Sequence, residues 1–137
     1  QDLLQPLDYE RVLKLCVIHD LGEALGGDVP AVAQSAGSDK SDRERADLLQ
    51  LTKTLPLSLR TELIELWEDY ESASSREARV VKALDKIETI IQHNQGANPD
   101  SFDYSFNLTY GIKYTNEFSV IAELRAIVDT ETRANIG

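Results

Sequence analysis

The run from Val12 to Pro30 constrains this chain more than any other stretch. It begins with apolar residues on nearly every side and ends in a Gly26-Gly27-Asp28 turn before Pro30. Asp8 can cap a helix here, and the glycine pair stops it after about Leu25. At about 100° per residue, Val12, Cys16, His19, Asp20 and Glu23 share an arc of roughly 100°. Leu13, Leu15, Val17, Ile18, Leu21 and Leu25 cover the remaining faces, which predicts a central, buried helix. Three ionisable groups on one patch of a buried helix are costly unless something binds them, and a divalent cation is the simplest resolution.

A chain of 137 residues with 42% hydrophobic and 28% charged residues predicts one soluble globular domain over 1–137. No apolar run nears the roughly 18 residues that cross a bilayer, so no membrane role is expected. A net charge of -10 argues against nucleic-acid polymers, which are bound through basic patches. A small phosphorylated substrate stays open if a metal supplies positive charge. The single cysteine, Cys16, reads as a buried structural thiol, and a chain without an internal disulfide fits the cytoplasm.

The rest reads as helices. Gln34 to Lys40 is small and polar, a surface loop. Ser41 with Glu44 makes a capping box for a helix toward Leu55, which Pro56 breaks. A helix from about Ser58 to Glu71 carries Leu59, Leu63, Ile64, Leu66, Trp67 and Tyr70. Ser74 with Glu77 is a second capping box, for a helix to about Asn94 that buries Val80, Ala83, Leu84, Ile87, Ile90 and Ile91. Residues 95–114 form an irregular loop rich in aromatics. Asn116 caps a last helix burying Phe118, Val120, Ile121, Leu124, Ile127 and Val128, with a tail that frays after about Thr130. The fold class is therefore all-α, about five helices without strands.

His19-Asp20 offers an imidazole nitrogen and a carboxylate, a donor set that suits Mn²⁺, Fe²⁺, Co²⁺, Ni²⁺, Zn²⁺ or Mg²⁺ without choosing among them. The longer pattern His19-Asp20-x-x-Glu23-x-x-x-Gly27-Asp28-x-Pro30 resembles the central motif of the HD-domain metal-dependent phosphohydrolases, in the branch that holds the 5'-deoxynucleotidases. Leu63 to Glu71 resembles that family's Leu-x-x-Leu-Trp-x-Glu-Tyr-Glu helix, and Glu77 to Lys86 its segment delivering the last metal-binding aspartate. The resemblance implies an HD-type helical bundle with His19, Asp20 and Asp85 as metal ligands. It implies Glu23 as general base or positioning group over the metal-bound water, Asp28 beside the phosphate or sugar, and Pro30 fixing the turn that holds Asp28. Periodicity alone puts Asp85 with Lys82, Thr89 and Gln92, on a solvated face.

The implied activity is a metal-dependent phosphohydrolase releasing phosphate from a small nucleotide, in the simplest case a deoxyribonucleoside 5'-monophosphate. The alternatives are an HD-type nucleoside triphosphohydrolase and a catalytically incomplete HD-fold binding or assembly module. The incomplete reading draws on the absence of a histidine before His19. The family's first metal-binding histidine is expected from an N-terminal helix before Gln1, in a chain that contains no methionine. His93 follows Asp85 by two turns, too far to share its ion, and reads as a helix-end hydrogen-bonding group. Phe102, Tyr104, Phe106 and Tyr110, read as exposed, predict a homodimer.

Overall fold

In the computed structural model, residues 6–28 and 38–136 are described, and every regular element among them is helical. They form two compact units. Five helices have ten residues or more and two are single turns, which fits the all-α expectation of about five.

The first unit spans Asp8–Ala78. Its elements are α1 (Tyr9–Ile18), α2 (Glu23–Gly26), α3 (Ser38–Leu51) and α4 (Leu57–Ser72). Asp8 caps α1 as expected, accepting from Arg11 N at 3.1 Å. Helix α1 does not run on to Leu25. It ends at Ile18, and a tight turn comes next in which Leu21 N donates to Ile18 O and Glu23 N to Asp20 O, both at 3.0 Å. Nor is α1 buried all round. It packs on α4, whose Leu66, Trp67 and Tyr70 are buried, and only its own Leu15 and Ile18 are buried with them. Each of those two contributes about 1.5–3 kcal/mol. Tyr9, Leu13 and Val17, four residues apart in turn, lie on the other side and are exposed. Cys16 is exposed too, so it is not a buried structural thiol.

Two caps move. Helix α3 starts at Ser38, three residues before the expected box, because Ser41 Oγ donates to Glu71 Oε2 (3.0 Å) and Glu44 pairs with Lys40 (3.2 Å). It also ends at Leu51 rather than Leu55. At the start of α5, Ser75 rather than Ser74 is the cap: its Oγ accepts from Ala78 N at 3.0 Å.

The second unit joins residues 6–7 to 79–136. It holds α5 (Arg76–Gln95) beyond its first turn, a 3₁₀ turn (Tyr104–Leu108), α6 (Ile112–Thr115) and α7 (Ser119–Ile136). Its core is Val80, Ala83, Ile87 and Ile90 from α5 with Phe118, Ile121 and Val128. Leu84, Val120, Leu124 and Ile127, expected in the core, are exposed. The buried stripe of α7 is instead Ile121, Arg125, Val128 and Thr132. Arg125 is there because it anchors the segment opposite. Its guanidinium donates to the carbonyls of Asn107 and Tyr110, each at 2.7 Å, and to Asp129 at 2.6 Å. Asn116 ends α6 rather than starting α7, and α7 holds helical form to Ile136 instead of fraying at Thr130.

The 95–114 segment is therefore not a loose aromatic surface. Phe102, Tyr104, Phe106 and Tyr110 are half-buried, with ring centroids 4.9 Å apart for Phe102–Tyr104 and 5.1 Å for Phe106–Tyr110. His93 stacks edge-on to Phe102 at 5.0 Å, and its Nδ1 bonds Asn107 Oδ1 at 2.8 Å. That is the helix-end role read from the sequence.

One buried carboxylate ties the first unit together. Asp69 accepts from Arg11 Nε (3.2 Å) and Nη2 (2.5 Å), and from Ser75 N and Oγ (both 2.7 Å). Burial pushes its pKa up, but the donors from Ser75 and Arg11 outweigh that and hold it below the ordinary value. Because the folded pKa is depressed, this stability is present above the ordinary carboxylate range and is lost as pH falls through the folded pKa. Asp69→Asn should lower stability by about 2–4 kcal/mol at neutral pH, with the gap from the parent closing in strong acid. Urea unfolding across that pH range checks it.

Candidate metal centre

His19 and Asp20 sit in the turn that separates α1 from α2. The imidazole is fixed on two sides. Its Nδ1 lies 2.9 Å from Cys16 O and 3.3 Å from Leu15 O, and carbonyls only accept, so Nδ1 carries the proton. Its face lies against Tyr70 of α4, ring centroids 4.9 Å apart. The other nitrogen, Nε2, faces Asp20 Oδ2 at 3.2 Å. In the neutral ring this sets a lone pair against a carboxylate, and a proton or a cation must lie between them. Two donors each about 2.0–2.2 Å from one ion stand roughly this far apart. The pinned Nδ1–H is also the arrangement that orients a metal-ligating histidine. The pair fits a divalent cation.

Glu23 opens α2, one turn beyond His19. Burial pushes its carboxyl up to about 7, with the negative charges of Asp28 and Asp20 adding to the shift and Lys40 opposing it. Lys40 Nζ reaches Glu23 at 3.4 Å and Glu44 at 3.2 Å. Gly22 permits this: a β-carbon there would stand 2.8 Å from Glu44 Cβ and 2.9 Å from Glu44 O, so α2 meets α3 at van der Waals limits. Glu44 is itself pushed up by burial against the pull of Lys40. Lys40, read from the sequence as loop, was findable through its four-residue spacing to Glu44. Tyr70 read only as core.

The sequence-derived residues thus divide into groups. His19 and Asp20 are in contact, and Glu23 shares their electrostatic environment with Asp28, which is exposed after Gly27. Pro30 lies outside the described residues. Asp85 belongs to the second unit, half-buried on α5 with Lys86 Nζ at 3.1 Å, rather than on a freely solvated face. Within neither unit do three His, Cys, Asp or Glu side chains of the described residues gather as around an ion.

The HD-domain family profile matches residues 1–125. The chain belongs to the HD-domain family. HD-domain phosphohydrolases are in general divalent-metal dependent, which agrees with the donor set of the His19-Asp20 pair. The chain is also similar to proteins named 5'-deoxynucleotidase HDDC2. It is 40% identical to that of Mus musculus over 89 residues, covering 65% of this chain and 45% of the relative. For Homo sapiens it is 38% over 105 residues (71% and 52%), and for Bos taurus 34% over 134 residues (95% and 64%). This HD-domain chain spans about half the length of the curated relatives it matches.

Because the folded pKa of Glu23 is raised, near 7 against an ordinary 4.5, the fold favours its protonated form. The stability this brings is full below the ordinary value and is lost as pH rises through 7. Without metal, Glu23→Gln should match the parent near pH 5 and exceed it near pH 8 by on the order of 1 kcal/mol after solvent screening. Urea unfolding at both pH values tests this, and equal stabilities near pH 8 would contradict it.

Proposed function

We propose that this HD-domain protein is a metal-dependent phosphohydrolase releasing phosphate from a small nucleotide, most simply a deoxyribonucleoside 5'-monophosphate. The observation that carries the reading is the His19-Asp20 pair, with Nδ1 protonated against Cys16 O and Nε2 turned to Asp20 Oδ2 at 3.2 Å. The similarity to proteins named 5'-deoxynucleotidase supports the substrate class. His19, Asp20 and Asp85 are the proposed metal ligands. A divalent cation held by them supplies Lewis acidity toward water and phosphate oxygens. Glu23, whose carboxyl titrates near 7, takes the proton of the attacking water. Asp28, after Gly26-Gly27, is the proposed contact to the sugar or phosphate. The proposed compartment is the cytoplasm; no described helix is long and apolar enough to cross a membrane.

Purified protein with Mn²⁺ or Co²⁺ should release inorganic phosphate from deoxyribonucleoside 5'-monophosphates. His19→Ala and Asp20→Ala should each lower kcat/KM by about 100-fold or more. Turnover equal to that of these variants ends the proposal, and release of triphosphate from a nucleoside triphosphate would shift it to the triphosphohydrolase alternative. The alternative is the catalytically incomplete binding module. Metal analysis separates the two: a stoichiometric transition metal in the purified protein supports the enzyme.

The homodimer belongs to the same proposal, with its support moved from the loop aromatics to α7. Val120, Leu124 and Ile127 leave an exposed apolar stripe along that helix. Light scattering at micromolar concentration should give twice the chain mass, and Ile127→Glu should return it to monomer. A monomer mass for the parent protein removes the dimer.

A further inference from the structure

Neighbouring residues on a helix point about 100° apart and do not face each other. Asp85 and Lys86 of α5 are an exception, with Lys86 Nζ donating to Asp85 Oδ2 at 3.1 Å. The second unit bends the lysine into place. The Tyr110 ring stands 5.2 Å from Nζ, a cation–π distance. The lysine stem is pressed against Gly111, where a β-carbon would come within 2.5 Å of Lys86 Cγ and 2.6 Å of Lys86 Cβ. Gly111 also has a φ of +65°, so both space and backbone demand glycine there. Arg125, by holding the carbonyls of Asn107 and Tyr110, fixes the segment that makes these contacts.

The two side chains are only 19% and 23% exposed, a sheltered pair rather than a solvated one. Burial pushes the Lys86 amine down, but Asp85 and Tyr110 outweigh it and keep the ammonium charged. A lysine placed merely to solubilise α5 would point to water.

We infer that Lys86, set by Tyr110 and Gly111, is a positioning residue that holds the Asp85 carboxylate in one orientation for a divalent cation. The inference rests on Asp85 being a metal ligand, as in the proposed function. With Oδ2 engaged by the ammonium, the Asp85 carboxylate is held at one end. The rotamer is then ordered before any ion arrives, as with other ligating carboxylates held by hydrogen bonds. The opposite expectation is equally concrete: an ammonium beside the site repels a dication, and its removal then tightens binding.

Mn²⁺ titration of the metal-stripped protein, read by the EPR signal of free Mn²⁺, decides between them. Lys86→Met should weaken Mn²⁺ affinity by about 10–100-fold, and Lys86→Arg should recover most of it. Tyr110→Leu, which leaves the ion pair's own groups in place, should weaken affinity in the same direction and serves if Lys86→Met does not fold. Asp85→Ala is the control. If Asp85→Ala abolishes binding while Lys86→Met and Tyr110→Leu bind like the parent or tighter, the positioning role is overturned and the ligand assignment stands. If Asp85→Ala leaves affinity unchanged, the ligand assignment falls and takes this inference with it.

Discussion

The candidate site depends on which imidazole nitrogen of His19 carries the proton. Cys16 O at 2.9 Å settles that for Nδ1, and the local chain path is built on this bond. The ring bond occupies the carbonyl that the amide of Asp20 would take in a continuing helix, so α1 gives way to a tighter turn at this point. That turn sets Asp20 beside Nε2 and restarts the chain as α2 with Glu23 at its head. Gly22 then allows α2 to lie directly against Glu44 of α3, which brings Lys40 to Glu23. A single side-chain-to-backbone bond thus accounts for the helix break, the facing of Nε2 toward Asp20 and the neighbours of the proposed base.

In the second unit, polar side chains on the buried stripe of α7 do the corresponding work. A buried arginine is costly unless its donors are met. Arg125 is met by two carbonyls and Asp129, and those bonds order the 3₁₀ turn and the residues up to Tyr110. Thr132 joins Asn94 at 3.1 Å, and Asn107 donates to Asn94 Oδ1 at 3.2 Å, so the end of α5 is tied to α7 and to the same turn. The aromatic rings then pack on one another and on His93.

The helices and the His19–Asp20 contact were legible because hydrophobic spacing and adjacency are written directly in sequence. Asp8 caps α1 as expected because its effect on the backbone is local, whereas α3 ends at Leu51, short of Pro56, which precedes α4. Errors arose wherever a side chain had a tertiary alternative. Ser41 gave up its cap to bond Glu71, and Arg125 reached the core because carbonyls from another segment met it there. The apolar residues of α1 were read as buried because periodicity counts hydrophobic faces but not the neighbours available to cover them. Tyr9, Leu13 and Val17 show the difference. Asp85 is the converse case: the helical wheel placed it in solvent, whereas Lys86, bent back by Gly111 and Tyr110, shelters it.

The charge pattern bears on the proposed action of a chain with net charge -10 on a phosphate ester. Burial raises the Glu23 pKa, the charges of Asp28, Asp20 and Glu44 add to it, and Lys40 opposes them. Such a group of carboxylates repels a phosphate on its own. A dication bound there, as proposed, would reverse the local sign and draw Glu23 toward its ionised form by offsetting the carboxylates that add to the effect of burial. On that proposal the excess of acid would retain the cation, and the cation would admit the substrate. Neither role would require a basic surface, so an acidic composition is compatible with a small nucleotide as the proposed substrate.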